Sequence, residues 1–102
     1  MITIVATLVC KPGTEEEVER ASLDWFIPKT LEEEGCDEFL LLRQQDDPTR
    51  FVSYEIFRDK AALDAHIASD HVKQFFEFMT DKEVQNAFKL YDALPSAGRE
   101  TS

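Results

Sequence analysis

The sequence predicts an α+β domain of the ferredoxin-like, split βαββαβ type: a four-stranded antiparallel sheet with its helices on one face. Three observations predict it. Segments with apolar residues at helical spacing alternate with β-branched and aromatic runs in the order β-α-β-β-α-β. The 102 residues leave room for one modest core. No repeat, linker or low-complexity block divides them, so residues 1–94 read as a single domain. Residues 95–102 have too little apolar content to pack and read as a flexible tail.

The first strand is residues 2–10, β-branched and apolar, closed by the turn Lys11-Pro12-Gly13. Thr14 followed by Glu17 carries the signature of a capping box, with acids filling the first helical turn. The helix that follows sets Val18, Ala21 and Trp25 on one side and Leu23, Ile27 and Leu31 beside them, a broad apolar face. Pro28 should kink or divide it, and Gly35 should close it as a C-cap. Phe39–Leu42 is a short strand, Gln45–Thr49 a turn, and Arg50–Phe57 the returning strand of a hairpin. Asp59 is a natural N-cap for a helix to Ala68, with Leu63 and Ile67 expected to face the core. Ser69-Asp70 interrupts it before a second helical stretch carrying Val72, Phe75, Phe76 and Met79. Residues 83–94 supply the last strand.

Such a sheet should be polar on the face its helices leave bare. In Arg50–Phe57, however, both the Val52/Tyr54/Ile56 face and the Phe51/Phe57 face are hydrophobic. This pattern predicts a homodimer buried through the bare face, across roughly 2,000 Å² or more in total.

Net charge is −10. A surface of that sign repels phosphate backbones and anionic lipid headgroups, which argues against nucleic-acid and membrane partners. The runs Glu15–Glu17, Glu32–Glu34 and Asp46–Asp47 read as solvated acidic surface. No apolar run is long enough for a membrane helix, and the N-terminal stretch lacks the basic start and cleavage site of a leader, so a cytoplasmic location is expected. Cys10 and Cys36 form no disulfide framework and no metal-ligand spacing, and nucleotide loops and hydrolase elbows are absent. No cofactor or metal is expected.

Chemistry concentrates in Tyr54–Asp59 and the helix after it. Strand alternation puts Ser53, Glu55 and Phe57 on one face. An acid between Phe51 and Phe57 needs a partner if it is buried, and His66 on the next helix can supply one, from the edge of the apolar stripe. A carboxylate–imidazole pair in a pocket can move a proton near neutral pH. The same pattern fits a buried polar pair without a catalytic role. His71 fits a cap on the broken helix. Phe75, Phe76 and Phe78 fit core positions, with Phe75 able to wall a pocket for a flat molecule.

Four stretches together resemble the antibiotic biosynthesis monooxygenases. They are the opening strand ending in Lys11-Pro12-Gly13, Leu31-Glu32-Glu33-Glu34-Gly35-Cys36, Tyr54-Glu55-Ile56-Phe57, and Ala65-His66-Ile67-Ala68-Ser69-Asp70-His71. The likeness covers residues 2 to about 92. With Trp25-Phe26-Ile27-Pro28 it leans toward the quinol-oxidising branch. The resemblance implies ferredoxin-like subunits whose sheets pair into a dimeric α/β-barrel, oxidising quinols or polyphenols with O₂ and no cofactor. It implies catalytic roles for His66 and Glu55, and places Phe57, His71, Phe39, Phe75 and Trp25 at the substrate. Phe57 stands where Trp is common and Phe39 where Tyr is common, so two polar ring atoms are missing. A proton-shuttling isomerase of a small metabolite and a non-catalytic dimeric binder of an aromatic molecule are the alternative readings. The haem-degrading branch carries an Asn on its first strand, where this chain has Ala6 and Thr7.

Overall fold

Strand β1 (Ile2–Val9) lies in the interior of the sheet, paired antiparallel with β3 (Arg50–Phe57) on one side and β4 (Gln85–Asp92) on the other. β2 (Cys36–Arg43) pairs with β3, giving the order β2-β3-β1-β4. The computed structural model describes residues 1–94, and the expected tail at 95–102 lies outside the described residues. The helices are α1 (Glu15–Ala21), α2 (Ile27–Leu31), α3 (Lys60–Ile67) and α4 (Asp70–Asp81), with a π-helical turn, Ser22–Phe26, joining α1 to α2. The element order is the predicted one. β2 is longer than expected at both ends, and β4 is shorter.

The π turn is how the chain meets Pro28. The Ile27 N–H bonds the Ser22 carbonyl, five residues back, which widens the turn before the proline ring. Pro28 then sits in the first turn of α2, where a missing N–H costs little. Two caps differ from expectation. Thr14 makes no side-chain cap, because its hydroxyl donates to the Lys11 carbonyl at 2.8 Å. Glu15, not Glu17, reaches back, accepting from the Gly13 N–H at 2.6 Å, while Glu17 pairs with Lys82. Gly35 is no left-handed C-cap, since among the described residues Gly13 is the only glycine with positive φ. It is small because Ala62 of α3 presses on it: a Cβ there would collide with the Ala62 Cβ. Asp59 does cap α3, accepting from the Ala62 N–H at 2.9 Å. Helix α4 ends in a Schellman motif, Glu83 N–H to Thr80 O and Val84 N–H to Met79 O, with Glu83 at φ 58° where glycine is the usual residue.

Phe51, Ser53, Glu55 and Phe57 of β3, with Ile4 and Leu8 of β1, point under the helices and are buried. Burial on the helices departs from the predicted stripes. Leu23, Leu31 and Ile67 are each half exposed, while Ser22, Phe26 and Thr30 are buried instead. The π turn accounts for the first change, because it rotates the residues after Ala21 relative to α-helical spacing. In α3 the inward positions are Leu63 and His66, three apart, so His66 takes the place expected for Ile67. It is in the core, not at its edge, at 3% exposure.

The apolar core divides into a larger cluster around Phe26, Phe51, Phe75 and Met79 and a smaller one of Ile4, Phe57 and Leu63. On β3, Ser53 and Glu55 fall between Phe51 of the first and Phe57 of the second. The sheet's other face carries exposed Leu40, Leu42 and Tyr54 beside half-buried Val52 and Ile56. Among the described residues no helix is long and apolar enough to cross a membrane.

Candidate active site

A cavity of about 450 Å³ lies between the sheet and the helices at this polar seam. Its walls are largely apolar: Ile4, Ala6 and Leu8 of β1, Phe39 and Leu41 of β2, and Phe26, Phe75 and Met79 from the helices. The rings of Phe26 and Phe75 stack at 4.1 Å and 7° between planes, and Phe39 meets Phe26 edge-on at 5.8 Å. Ser53, Glu55 and His66 are the buried polar groups of β3 and α3 that reach it. Flat aromatic walls with a few convergent polar groups suit a planar molecule bearing a hydroxyl.

Three segments distant in the chain build the polar end. His66 Nε2 lies 3.3 Å from Glu55 Oε1, and Ser53 Oγ donates to the other Glu55 oxygen at 3.1 Å. His66 Nδ1 lies 2.7 Å from Glu33 Oε2, and His71 Nε2 meets the same oxygen at 2.6 Å. A carboxylate oxygen only accepts, so both rings donate to it. Ser69, the N-cap of α4, donates its hydroxyl to the His66 carbonyl at 2.6 Å and fixes the break that brings His71 alongside. Glu33 follows α2 directly and is held where helix and strand close on Gly35.

With Nδ1 of His66 committed to Glu33, Nε2 is the nitrogen that faces Glu55 and the cavity. Burial by itself would depress the imidazole's basicity. The hydrogen bonds to Glu55 and Glu33 outweigh it and raise the His66 pKa above its ordinary value. The arrangement is that of a base whose far nitrogen is held by a carboxylate, which fixes the tautomer and stabilises the imidazolium once a proton arrives. Cys36 is no competing nucleophile: burial first, and then the nearby Glu33 charge, push its thiol up to about 11.

Of the residues singled out in the sequence, His66, Glu55, Phe39 and Phe75 line the cavity. Phe57 lies behind it, fully buried, its ring 4.7 Å from that of His66. Trp25 backs the wall, 6.2 Å from both Phe26 and Phe75. His71 sits outside the lining, against the same Glu33 oxygen that His66 meets.

Sequence reasoning missed Glu33, counted with a solvated acidic run. One signal was present: three acids directly after a helix C-terminus oppose the helix dipole and call for a partner. Donor atoms of Glu33, His66 and His71 lie within 4.8 Å of one another, a two-histidine, one-carboxylate set that the sequence spacing concealed. The 2.6 and 2.7 Å separations are those of charge-assisted hydrogen bonds.

Residues 1–77 match the family model for antibiotic biosynthesis monooxygenase. The Synechocystis protein sll1783 is 28% identical over 91 residues, 88% of this chain and 61% of that protein. The chain thus spans about three fifths of that relative's length. Protein SO0527 of Shewanella oneidensis is 33% identical with a TM-score of 0.78, over 88% of this chain and 87% of that one. SnoaB of Streptomyces nogalater, a cofactor-independent oxygenase, shares the fold at a TM-score of 0.85 and 16% identity, over 96% and 97% of the two chains. With the family model covering most of its length, the chain belongs to the antibiotic biosynthesis monooxygenase family.

Proposed function

We propose that this protein is a monooxygenase that oxidises a quinol or polyphenol with O₂, using no resident cofactor, and that His66 accepts the phenolic proton. The observation that carries the reading is the pairing of His66 and Glu55 inside an aromatic-walled cavity of about 450 Å³.

The chemistry asks little else of the protein. A neutral quinol transfers an electron to triplet O₂ slowly, whereas its anion does so readily. His66 Nε2 takes the proton while Glu33 holds Nδ1, and the apolar walls keep water from the anion and the radical pair. Radical and superoxide combine at a ring carbon. The resulting peroxide takes protons back and loses one oxygen as water. The substrate supplies all four electrons, two in becoming a quinone and two from the C–H bond that becomes C–O, so no external reductant is consumed. Glu55, 3.3 Å from Nε2 and held by the Ser53 hydroxyl, stabilises the imidazolium that forms. Phe57 braces the ring of His66, and His71 holds Glu33 from outside.

Two copies of the chain pack through the bare sheet face, covering Leu40, Leu42, Val52, Tyr54 and Ile56, the patch a monomer leaves to water. Sedimentation at micromolar concentration tests this: a dimer is expected, and a monodisperse monomer contradicts it.

Oxygen uptake tests the activity, with a panel of hydroquinones and naphthoquinols. A general base is worth roughly 100- to 10,000-fold, so His66→Gln should lower turnover at least about tenfold. Uptake unchanged in that variant removes His66 from the reaction. Binding of the same compounds without uptake in the parent protein makes the cavity a binder's.

A further inference from the structure

The cavity is asymmetric. Its deep end holds Ser53, Glu55 and His66. Ile67, Phe76 and Phe88 line the cavity while each is about half exposed, and so they mark its mouth. Glu55 pairs with Ile4, whereas Asn86 pairs with Leu8, four residues further along β1. The two lie roughly 14 Å apart along the strands and about 10 Å apart across them. A molecule whose hydroxyl reaches His66 therefore extends toward Asn86.

Lys73 stands at this mouth, on the second turn of α4, and is the one lysine or arginine among the described residues of the lining. Among the described residues no carboxylate lies within ion-pair distance of its ammonium, although Lys11, Lys60 and Lys82 each have such a partner. Asp70, Glu77 and Asp81 of its own helix make no ion pair with it, although Glu77 and Asp81 line a surface hollow beside it. Glu55, the one acid among the described residues of the lining, belongs to the deep end, engaged by His66 and Ser53. In a chain of net charge −10, an anion meets repulsion over most of the surface, and an unpaired cation at this aromatic cavity offsets it locally.

We propose that Lys73, with the Asn86 amide across the mouth, forms an anion subsite, so that the preferred ligand is a hydroxylated aromatic acid. Its hydroxyl lies at His66 and its carboxylate at Lys73. This rests on reading the cavity as a site for a hydroxylated aromatic, but not on turnover.

Equilibrium binding of a hydroxynaphthoate and of the corresponding naphthol, which differ only in the carboxylate, tests it through the ligands' own fluorescence. The parent protein should favour the acid by about two- to fivefold, the range of a solvent-screened ion pair, and the preference should shrink with added salt. Lys73→Gln should equalise the two ligands and Lys73→Glu should reverse their order, with naphthol binding unchanged in both. Equal affinities in the parent, or a preference that survives Lys73→Gln, overturns the subsite and leaves the proposed reaction standing. If neither compound binds the parent, the cavity reading falls and both proposals with it.

Discussion

Two runs of three glutamates, Glu15–Glu17 and Glu32–Glu34, look alike in the sequence and end in opposite circumstances. The first opens a helix, where the dipole favours carboxylates. There Glu16 faces solvent, Glu15 closes a local turn, and Glu17 makes a surface pair with Lys82. The second follows a helix end, where the dipole disfavours them. Glu34 stays 91% exposed beside Arg58, but Glu33 turns inward between two imidazoles, 33 and 38 residues away in the chain. Local composition is the same. What differs is which distant segments the sheet and the α3–α4 break deliver to each run.

The comparison can be broken most forcefully at the residue that gives Glu33 its surroundings. His66→Ala leaves Glu55 buried without its imidazole, opens a cavity in the core and removes one partner of Glu33. Breaking a buried charged pair costs about 3–5 kcal/mol, so urea denaturation should show a loss of that order. A loss under about 1 kcal/mol would mean that the network contributes little to the fold.

Glu33→Gln sharpens the contrast at smaller scale. It keeps the shape, weakens two charge-assisted bonds and should cost about 1–3 kcal/mol, whereas Glu16→Gln should stay within about 0.5 kcal/mol. The pH dependence separates them further. The His66 pKa is raised in the folded protein, so folding favours its protonated form. That stabilisation is complete below the ordinary histidine value of 6.5 and is lost as the pH rises through the raised value. The parent's urea midpoint should therefore fall as the pH climbs above neutrality. Glu33→Gln removes one of the groups raising the pKa, so its decline should be smaller and be complete at a lower pH. Equal declines in the parent and Glu33→Gln would show that Glu33 does not hold the imidazolium.

The sequence made the strands legible because β3 is a run rich in β-branched and aromatic residues, and the two-residue period of a strand placed Glu55 on the Phe51–Phe57 face. Asp59 was readable as a cap because its bond to Ala62 is local. The pairing of Glu55 with His66 was also within reach, since one helix follows directly on that strand. The depth of His66 was not. Leu63 and Ile67 fit the same four-residue spacing on paper, and only packing decides that α3 turns residues 63 and 66 inward. Pro28 announced a disturbance without its form, because a kink, a break and a π turn all accommodate a missing N–H. Gly35 suggested a turn by its identity, while its actual constraint, the pressure of Ala62, arises between elements. Glu33 was the least legible of all, since both of its partners are long-range.

The central claim, that His66 takes a phenolic proton inside this cavity, can be read without turnover. Nitrophenol is colourless when neutral and yellow when ionised, so its colour reports its protonation in the bound state. The account predicts that nitrophenol bound to the parent ionises at a lower pH than it does free in solution, because the imidazolium stabilises the phenolate, and that His66→Gln abolishes this shift. Nitrophenol that binds the parent but stays colourless up to or beyond its solution pKa would contradict it.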